Sequence, residues 1–392
     1  MAKILMLSDS PTTCTGYATI ATNVMNGLAE MGHECHYQAH NYVGQTIPPG
    51  LTFEDGKKLN FTLYGTGKEP YAKDVIIQRI RELKPDIFIV LLDTFMLYQS
   101  GFMNLDFAPA KTIFYYPSDG GGGLPLRCDD ILRKFHVPVA MAKFGRDQCV
   151  NLYGIPSEYI PHAIDPKVYY PLSKEEREKI KAKYGLTGKF VVGSVYRNQG
   201  RKMADRMFKA FAIFAKDNPD AVLFCHSDPF DQAAVFDSVE LIKRLGIENR
   251  VRFTGMSFFN GFDYKEMNEV YNAMDVFTLS TSGEGFGVPT IEAAACGIPS
   301  VVTDYTTTQE LLIENGVCGL AVPICGELTG SWNVERGLVD IGKMAEAFQM
   351  MHDNPAMREE MGKIGIEKIN KLYTWDVVNK DWDKLVRKMC DE

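Results

Sequence analysis

Long apolar runs are missing from this sequence. The longest uninterrupted apolar stretches, such as residues 87–92, are the size of a strand, whereas a membrane-spanning helix needs about 20 residues. The chain enters a strand-like pattern at residue 3, without the basic segment and apolar core that begin a signal peptide. We therefore expect a cytoplasmic protein with no transmembrane segment.

Cysteine patterns and strong positive charge are missing as well. The nine cysteines are scattered and never form C-x-x-C, so neither a disulfide framework nor a zinc site is indicated. The net charge is −8, and no basic stretch interleaved with aromatic residues is visible, which disfavours a nucleic-acid partner. The only D-x-D motif, at residues 381–383, lies in a helical pattern near the end of the chain. No metal site is expected.

What the sequence does have is a regular alternation of short apolar runs with amphipathic stretches. This alternation is typical of βαβ units and parallel sheets. It starts again after a charged stretch at residues 173–189, and 392 residues are enough for two cores. We predict an α/β protein of two facing, Rossmann-like, doubly wound domains at residues 1–170 and 171–374. A helix at residues 375–392 is expected to pack back on the first domain.

Loops that follow the strands of two such sheets would line the cleft between them. Residues 8–17 lead from the first strand into a helix with Gly16 at its entry, which suits an anionic ligand but equally an ordinary turn. Residues 193–202 place Arg197, Arg201 and Lys202 at a helix start, where cations oppose the helix dipole unless an anion joins them. We interpret this cluster as a phosphate site, with exposed surface charge as the alternative.

The most informative segment is residues 280–296, which carries Glu284 and Glu292 separated by seven residues. A glycine-rich turn follows Glu284, and Pro289 marks the first turn of a helix. The amides of Gly287 and Val288 would be free to meet a phosphate or a sugar hydroxyl. The alternative makes Glu284 a helix cap and Glu292 a solvated helix residue.

Residues 284–304, EGFGVPTIEAAACGIPSVVTD, resemble the donor-site signature of glycosyltransferase family four, also called glycosyl transferases group 1. That family consists of retaining enzymes with the GT-B fold. Residues 160–169 are similar to its interdomain segment, residues 271–277 precede the signature as in the family, and Glu310 occupies the family's downstream acidic position. The resemblance covers nearly the whole chain.

The resemblance implies a role for each matching residue in the binding of a nucleotide-sugar donor. Arg197 and Lys202 would hold the diphosphate without a metal, opposite Gly16, and Glu292 would bind the ribose. The transferred sugar and the distal phosphate would contact Glu284, Phe286, Gly287 and Val288, and the base would meet Met256 and Ser257.

Two features depart from the family pattern. The family often has two adjacent glycines where this sequence has Thr15 and Gly16. Asp119 stands near a position where many members have histidine, so we take it as an active-site candidate whose alternative is a turn cap. Residues 120–123 are four consecutive glycines, which we expect to form a mobile loop on the acceptor side.

The resulting hypothesis is a retaining, metal-independent hexosyltransferase that uses a UDP-sugar or GDP-sugar and an unidentified hydroxyl acceptor, with no other cofactor. Two alternatives stay open. One is a sugar-nucleotide-binding or regulatory module of the same fold without transferase activity. The other is a glycosyltransferase that modifies nucleic acid. Retention of Arg197, Lys202, Glu284 and Glu292 together favours the enzyme.

Overall fold

The computed structural model describes residues 1–13, 15–53, 58–124, 128–256 and 261–391. Its first part is a parallel sheet of seven strands in the order β3-β2-β1-β4-β5-β6-β7. The two central strands are buried except at Lys3, as expected for a parallel sheet covered on both faces. The strands are β1 (Lys3–Ser8), β2 (Glu34–Ala39), β3 (Thr62–Tyr64), β4 (Ile87–Leu91), β5 (Lys111–Tyr116), β6 (Val137–Ala140) and β7 (Glu158–Tyr159).

Five helices connect the strands of this first sheet. The longest, α1, begins at Gly16 behind Thr15, whose hydroxyl accepts a hydrogen bond from the amide of Ala18. The strand order reverses between β1 and β4, so the loops after these two strands meet at one point of the sheet edge. The helices are α1 (Gly16–Glu30), α2 (Lys73–Leu83), α3 (Thr94–Ser100), α4 (Cys128–Lys134) and α5 (Lys143–Tyr153).

The second sheet has six parallel strands in the order β10-β9-β8-β11-β12-β13. Its reversal lies between β8 and β11, which places the loops that follow them side by side. The strands are β8 (Phe190–Val195), β9 (Ala221–His226), β10 (Val251–Phe253), β11 (Val276–Leu279), β12 (Ser300–Thr303) and β13 (Gly319–Val322). The helices are α6 (Lys174–Lys183), α7 (Ala204–Ala215), α8 (Ser238–Arg244), α9 (Tyr264–Asn272) and α10 (Val288–Ala295). The predicted fold class, two doubly wound parallel sheets, is confirmed.

A β-hairpin that the sequence analysis did not predict follows β13. Its strands, β14 (Ile324–Thr329) and β15 (Glu335–Val339), pair with each other and not with either large sheet. Glu335 forms two backbone hydrogen bonds with Gly121, of 2.9 and 3.0 Å. The glycine segment at residues 120–123, which we expected to be mobile, therefore has a defined partner.

Three helices complete the chain, α11 (Ile341–Asp353), α12 (Pro355–Leu372) and α13 (Trp375–Asp391). Helix α13 packs against α1 of the first sheet, where His33 Nε2 lies 2.7 Å from Asp383 Oδ1. Trp382 is fully buried, with its indole edge-on to Tyr115. The domain limits given above stay a prediction. Within the described ranges no helix has the length and apolarity needed to cross a membrane.

Candidate functional site

The two sheets face each other where the loop after β11 meets the loop after β5. Gly283 has a φ of +150°, and a Cβ there would overlap the carbonyl oxygen of Asp119. A Cβ on Gly285 would lie 2.8 Å from Cβ of Pro117, closer than real Cβ contacts. Glycine is therefore needed at these positions for the domains to touch, and the touching loops carry Glu284 and Asp119.

Glu284 is the centre of a buried charge cluster. Its Oε1 lies 2.6 Å from Lys202 Nζ, and its Oε2 lies 2.9 Å from Arg201 Nη1, which also donates to the carbonyl of Gly283. Burial favours the neutral acid, but the charges of Lys202 and Arg201 outweigh it and lower the pKa of Glu284 to about 2. Glu284 is thus an ionised carboxylate at any working pH.

Asp119 joins this cluster from the opposite domain. Arg201 Nε lies 3.4 Å from Asp119 Oδ2, and Arg336 Nη2 lies 3.1 Å from Asp119 Oδ1. Three cations, from Arg201, Lys202 and Arg336, therefore surround the two carboxylates of Glu284 and Asp119. Arg201 and Lys202 lie just before the first turn of α7, where the helix dipole also favours an added anion such as a diphosphate.

Arg197, predicted to share the diphosphate with Lys202, forms an ion pair with Asp231. Its Nε is 3.0 Å from Oδ2 of Asp231, which follows β9, and about half of its side chain is exposed. Arg201, noted in the sequence but not chosen, is the arginine that contacts Glu284. The predicted role of Arg197 stays a prediction, and the structure adds Arg201 to the candidates.

Glu292 lies on α10 within a second polar group. The hydroxyl of Tyr271 donates to Glu292 Oε2 at 2.5 Å. Burial raises the pKa of Glu292, and hydrogen bonds from Tyr271 and Tyr169 oppose that rise without cancelling it. Tyr169 belongs to the segment between the two sheets, so Glu292, which is partly exposed, faces the joint. A carboxylate held in this way can accept hydrogen bonds from vicinal hydroxyls.

The turn between the two glutamates presents backbone amides. Gly287 precedes α10 and has a φ of +101°. No side chain caps the first turn of α10, so the amide of Val288, in that turn, is available to another acceptor. Phe286 is buried, with its ring 4.9 Å from that of His162. Burial lowers the pKa of His162 to about 3, so this histidine is a neutral packing partner of Phe286.

Comparison with known proteins supports one family. Residues 176–367 match the sequence model of the family described as Glycosyl transferases group 1. The chain carries a group 1 glycosyltransferase domain. This domain contains β8 to β13 and every predicted donor residue except Gly16 and Asp119.

Curated relatives share this domain. Mannosylfructose-phosphate synthase of Agrobacterium fabrum is 29% identical over 62% of this chain and 51% of its own length. A GDP-mannose-dependent monoacylated alpha-(1-6)-phosphatidylinositol monomannoside mannosyltransferase of Corynebacterium glutamicum is 25% identical over 57% of this chain and 54% of its own. The chain thus spans about half the length of these relatives.

Solved structures extend the likeness to the whole fold. Sucrose-phosphate synthase from Thermosynechococcus elongatus superposes with a TM-score of 0.76, at 17% identity, over 99% of both chains. Anabaena HepE in complex with UDP and glucose superposes with a TM-score of 0.74, at 15% identity, over 99% of this chain and 100% of its own. The predicted GT-B fold is confirmed.

Three predicted donor residues remain: Gly16, Met256 and Ser257. Gly16 is the exposed first residue of α1, and a Cβ there would meet nothing within 4 Å. Met256 follows β10 and is partly buried, and Ser257 lies outside the described residues. The predicted roles of all three stay predictions.

Two groups near Asp119 were missed by the sequence analysis, one in each domain. Asp93 follows β4 and accepts a hydrogen bond of 2.7 Å from Tyr17. Burial raises its pKa to about 6, and the nearby charge of Asp119 adds to the shift. Its position after a central strand could have identified it. Arg336, by contrast, lies on a hairpin with no sequence signature, so nothing in the sequence pointed to it.

Proposed function

We propose that this protein is a retaining, metal-independent glycosyltransferase that moves a hexose-type sugar from a nucleoside-diphosphate sugar to an acceptor hydroxyl. The observation that carries the proposal is the buried cluster of Lys202, Arg201 and Glu284 at the facing strand ends of a GT-B fold. Its group 1 glycosyltransferase domain supports the same conclusion.

The donor is assigned by chemistry and by relatives. Lys202 and Arg201 offer positive charge for a diphosphate, the uncapped first turn of α10 offers amides, and Glu292 offers a carboxylate for ribose hydroxyls. One relative is named as GDP-mannose-dependent, and HepE was solved with UDP and glucose. We therefore propose a UDP-sugar or a GDP-sugar as the donor.

Catalysis would depend on the leaving group. Departure of the nucleoside diphosphate leaves positive character on the anomeric carbon and negative charge on the diphosphate. Lys202 and Arg201, already buried and fixed, would stabilise that negative charge with little rearrangement. Glu284 would share its two cations with the incoming diphosphate and hold the transferred sugar by its hydroxyls.

The acceptor would enter from the first domain, on the side of Asp119 and Asp93. A hydroxyl placed on the face that the diphosphate leaves would add there, and the configuration of the anomeric carbon would be retained. The positive charge supplied by arginine and lysine takes the part that a divalent cation has in metal-dependent transferases, which is why we propose metal independence.

The test is turnover by EDTA-treated protein with a panel of UDP- and GDP-sugars. We expect one donor to release nucleoside diphosphate slowly without an acceptor, and Lys202→Ala to lose about 100-fold or more of that rate. Lys209→Ala is the matched control, because Lys209 lies on α7 and pairs only locally with Asp205. The released sugar or product should keep the donor's anomeric configuration by NMR.

Three results would contradict the proposal. The first is that no donor releases nucleoside diphosphate, the second is a strict requirement for a divalent cation, and the third is a product with inverted anomeric configuration. If a donor binds but is never turned over, the sugar-nucleotide-binding module becomes the better account.

A further inference from the structure

The hairpin β14–β15 connects the two domains at the cleft. By sequence it belongs to the second domain, yet it contacts the first at three places. Glu335 pairs with Gly121 through the two backbone hydrogen bonds described above, and the Trp332 ring stacks on Phe95 with 5.8 Å between centroids and 20° between planes. The third contact is made by Arg336, on the neighbouring residue of β15.

Arg336 holds Asp119 at two points. Its Nη2 lies 3.1 Å from Asp119 Oδ1, and its Nη1 donates to the carbonyl oxygen of Asp119. The Arg336 side chain is 16% exposed. A planar guanidinium that binds both the carboxylate and the backbone of one residue fixes its orientation better than a single ion pair. The other carboxylate oxygen of Asp119 faces Arg201.

The same hairpin is also tied to the loop that carries Glu284. The amide of Gly337 donates to the carbonyl of Ser282 at 3.1 Å. The hydroxyl of Tyr305 accepts from the amide of Gly121 at 3.0 Å and donates to the carbonyl of Glu335 at 3.1 Å. One short element thus links the donor loop to the loop of Asp119.

We propose that Arg336 is a positioning residue for the transfer reaction. It orients the Asp119 carboxylate toward Arg201 and the donor loop, and it reaches Asp119 only when the two domains are closed, because the two residues belong to different domains. Arg336 acts through Asp119 and does not itself touch the donor. This inference rests on the proposed function, to which it adds a residue and a reason for the hairpin.

The first test is steady-state kinetics of Arg336→Gln. We expect kcat to fall by about tenfold or more while the KM for the donor changes by less than about twofold, because orientation and not donor binding is lost. Arg336→Lys should recover part of kcat, since it keeps the charge but not the two-point contact. Arg244→Gln is the matched control, because Arg244 is an exposed arginine on α8 paired with Glu240.

The second test combines two substitutions. If Arg336 acts through Asp119, the double variant with Asp119→Asn and Arg336→Gln should be no slower than Asp119→Asn alone. Hydrogen exchange at the amides of Gly121 and Glu335 should quicken in Arg336→Gln, a readout that needs no substrate. Additive losses in the double variant would overturn this inference, and so would an unchanged kcat in Arg336→Gln. In either case, turnover by the wild-type protein would leave the proposed function intact. Absence of turnover in the wild type would overturn the proposed function, and this inference with it.

Discussion

At the scale of single residues, the site is a balance between burial and charge. The side chains of Lys202 and Glu284 are each about 10% exposed, so both charges have lost most of their hydration. The ion pair between them compensates for that loss. Burial lowers the pKa of Lys202, and the charge of Glu284 only partly restores it. An incoming diphosphate would offer these cations further negative partners in a site that is already dehydrated.

Removal of the Glu284 charge tests this balance. In Glu284→Gln the buried cations lose their ionised partner, and we expect the free energy of unfolding to fall by about 2–3 kcal/mol. This is less than for a fully buried ion pair, because the Arg201 side chain is 25% exposed. UDP or GDP should restore more stability to this variant than to the wild type. Denaturant unfolding with and without nucleotide measures both effects, and equal stability of the two proteins would contradict the prediction.

Asp93 gives a prediction about pH. Burial raises its pKa to about 6 in the folded protein, above the value of an unfolded aspartate. The folded state therefore holds the proton more tightly, and the stability that this confers is complete below about pH 4 and lost as the pH rises through about 6. Asp93→Asn, which can still accept from Tyr17, should remove up to about 3 kcal/mol of this pH dependence.

The measurement is the difference in unfolding free energy between wild type and Asp93→Asn from pH 4 to pH 7. We expect the wild type to lose stability relative to the variant over this range. A constant difference would show that Asp93 titrates normally.

Much of the candidate site could be predicted at this scale. Glu284 and Glu292 lie in a sequence signature whose spacing is local, so the sequence alone places them on one turn and one helix. Lys202 lies 82 residues before Glu284, and the neighbouring loops after β8 and β11 bring the two together. The sequence could not predict which of Arg197 and Arg201 contacts Glu284, because that depends on the direction in which each side chain leaves the turn. Arg197 forms an ion pair with Asp231, which lies 34 residues further along the chain. No local pattern specifies that pairing.

At the scale of elements, α13 shows how the end of the chain is fixed to its beginning. Trp382 is fully buried against Tyr115, with 4.9 Å between ring centroids. We expect Trp382→Ala to cost about 3–5 kcal/mol of unfolding free energy through the cavity it leaves. Trp382→Phe is the control and should cost much less, because the indole nitrogen has no hydrogen-bond partner to lose among the residues that the structure describes. Similar losses in both variants would contradict this account.

The close approach of the two loops depends on Gly283. In Gly283→Ala the new methyl group would overlap the carbonyl oxygen of Asp119, so we expect the loops to separate and turnover to fall by about tenfold or more. Gly326→Ala is the matched control, since a Cβ there meets nothing within 4 Å. Unchanged turnover in Gly283→Ala would show that the two loops need not touch during catalysis.

The elements differ in how far they could be predicted. The buried strands β1, β4, β5, β8, β11 and β12 consist mostly of apolar residues, and helices α11 and α13 have amphipathic patterns. The hairpin β14–β15 was missed because most residues of β14 are exposed, so the strand has no apolar pattern. Its β15 strand pairs with the loop at Gly121. Its partner, the glycine segment at residues 120–123, was expected to be mobile because glycine loses much backbone freedom on ordering. Two residues that hold it, Tyr305 and Glu335, lie at least 184 positions further along the chain, so no local pattern indicated them.

At the scale of the whole molecule, the two domains touch at more than one place. Besides the loops of Gly283 and Asp119, Glu310 of the second domain accepts hydrogen bonds from the hydroxyl of Tyr159 and, at 2.8 Å, from the amide of Lys143 of the first domain. Burial raises the pKa of Glu310 despite these bonds. The sequence predicts two facing domains and their joint, but not the distance between them, which depends on contacts of this kind.

The central claim is that the cleft binds a nucleoside diphosphate through the residues named above. The most direct measurement is calorimetric binding of UDP, GDP and their free nucleosides to the wild type, Lys202→Ala and Glu292→Ala. We predict that Lys202→Ala weakens the binding of the nucleoside diphosphate by about tenfold or more, because a charge-assisted hydrogen bond is lost, and leaves the binding of the nucleoside unchanged. Glu292→Ala should weaken both. Equal binding of the diphosphate by all three proteins, or none by the wild type, would contradict the account.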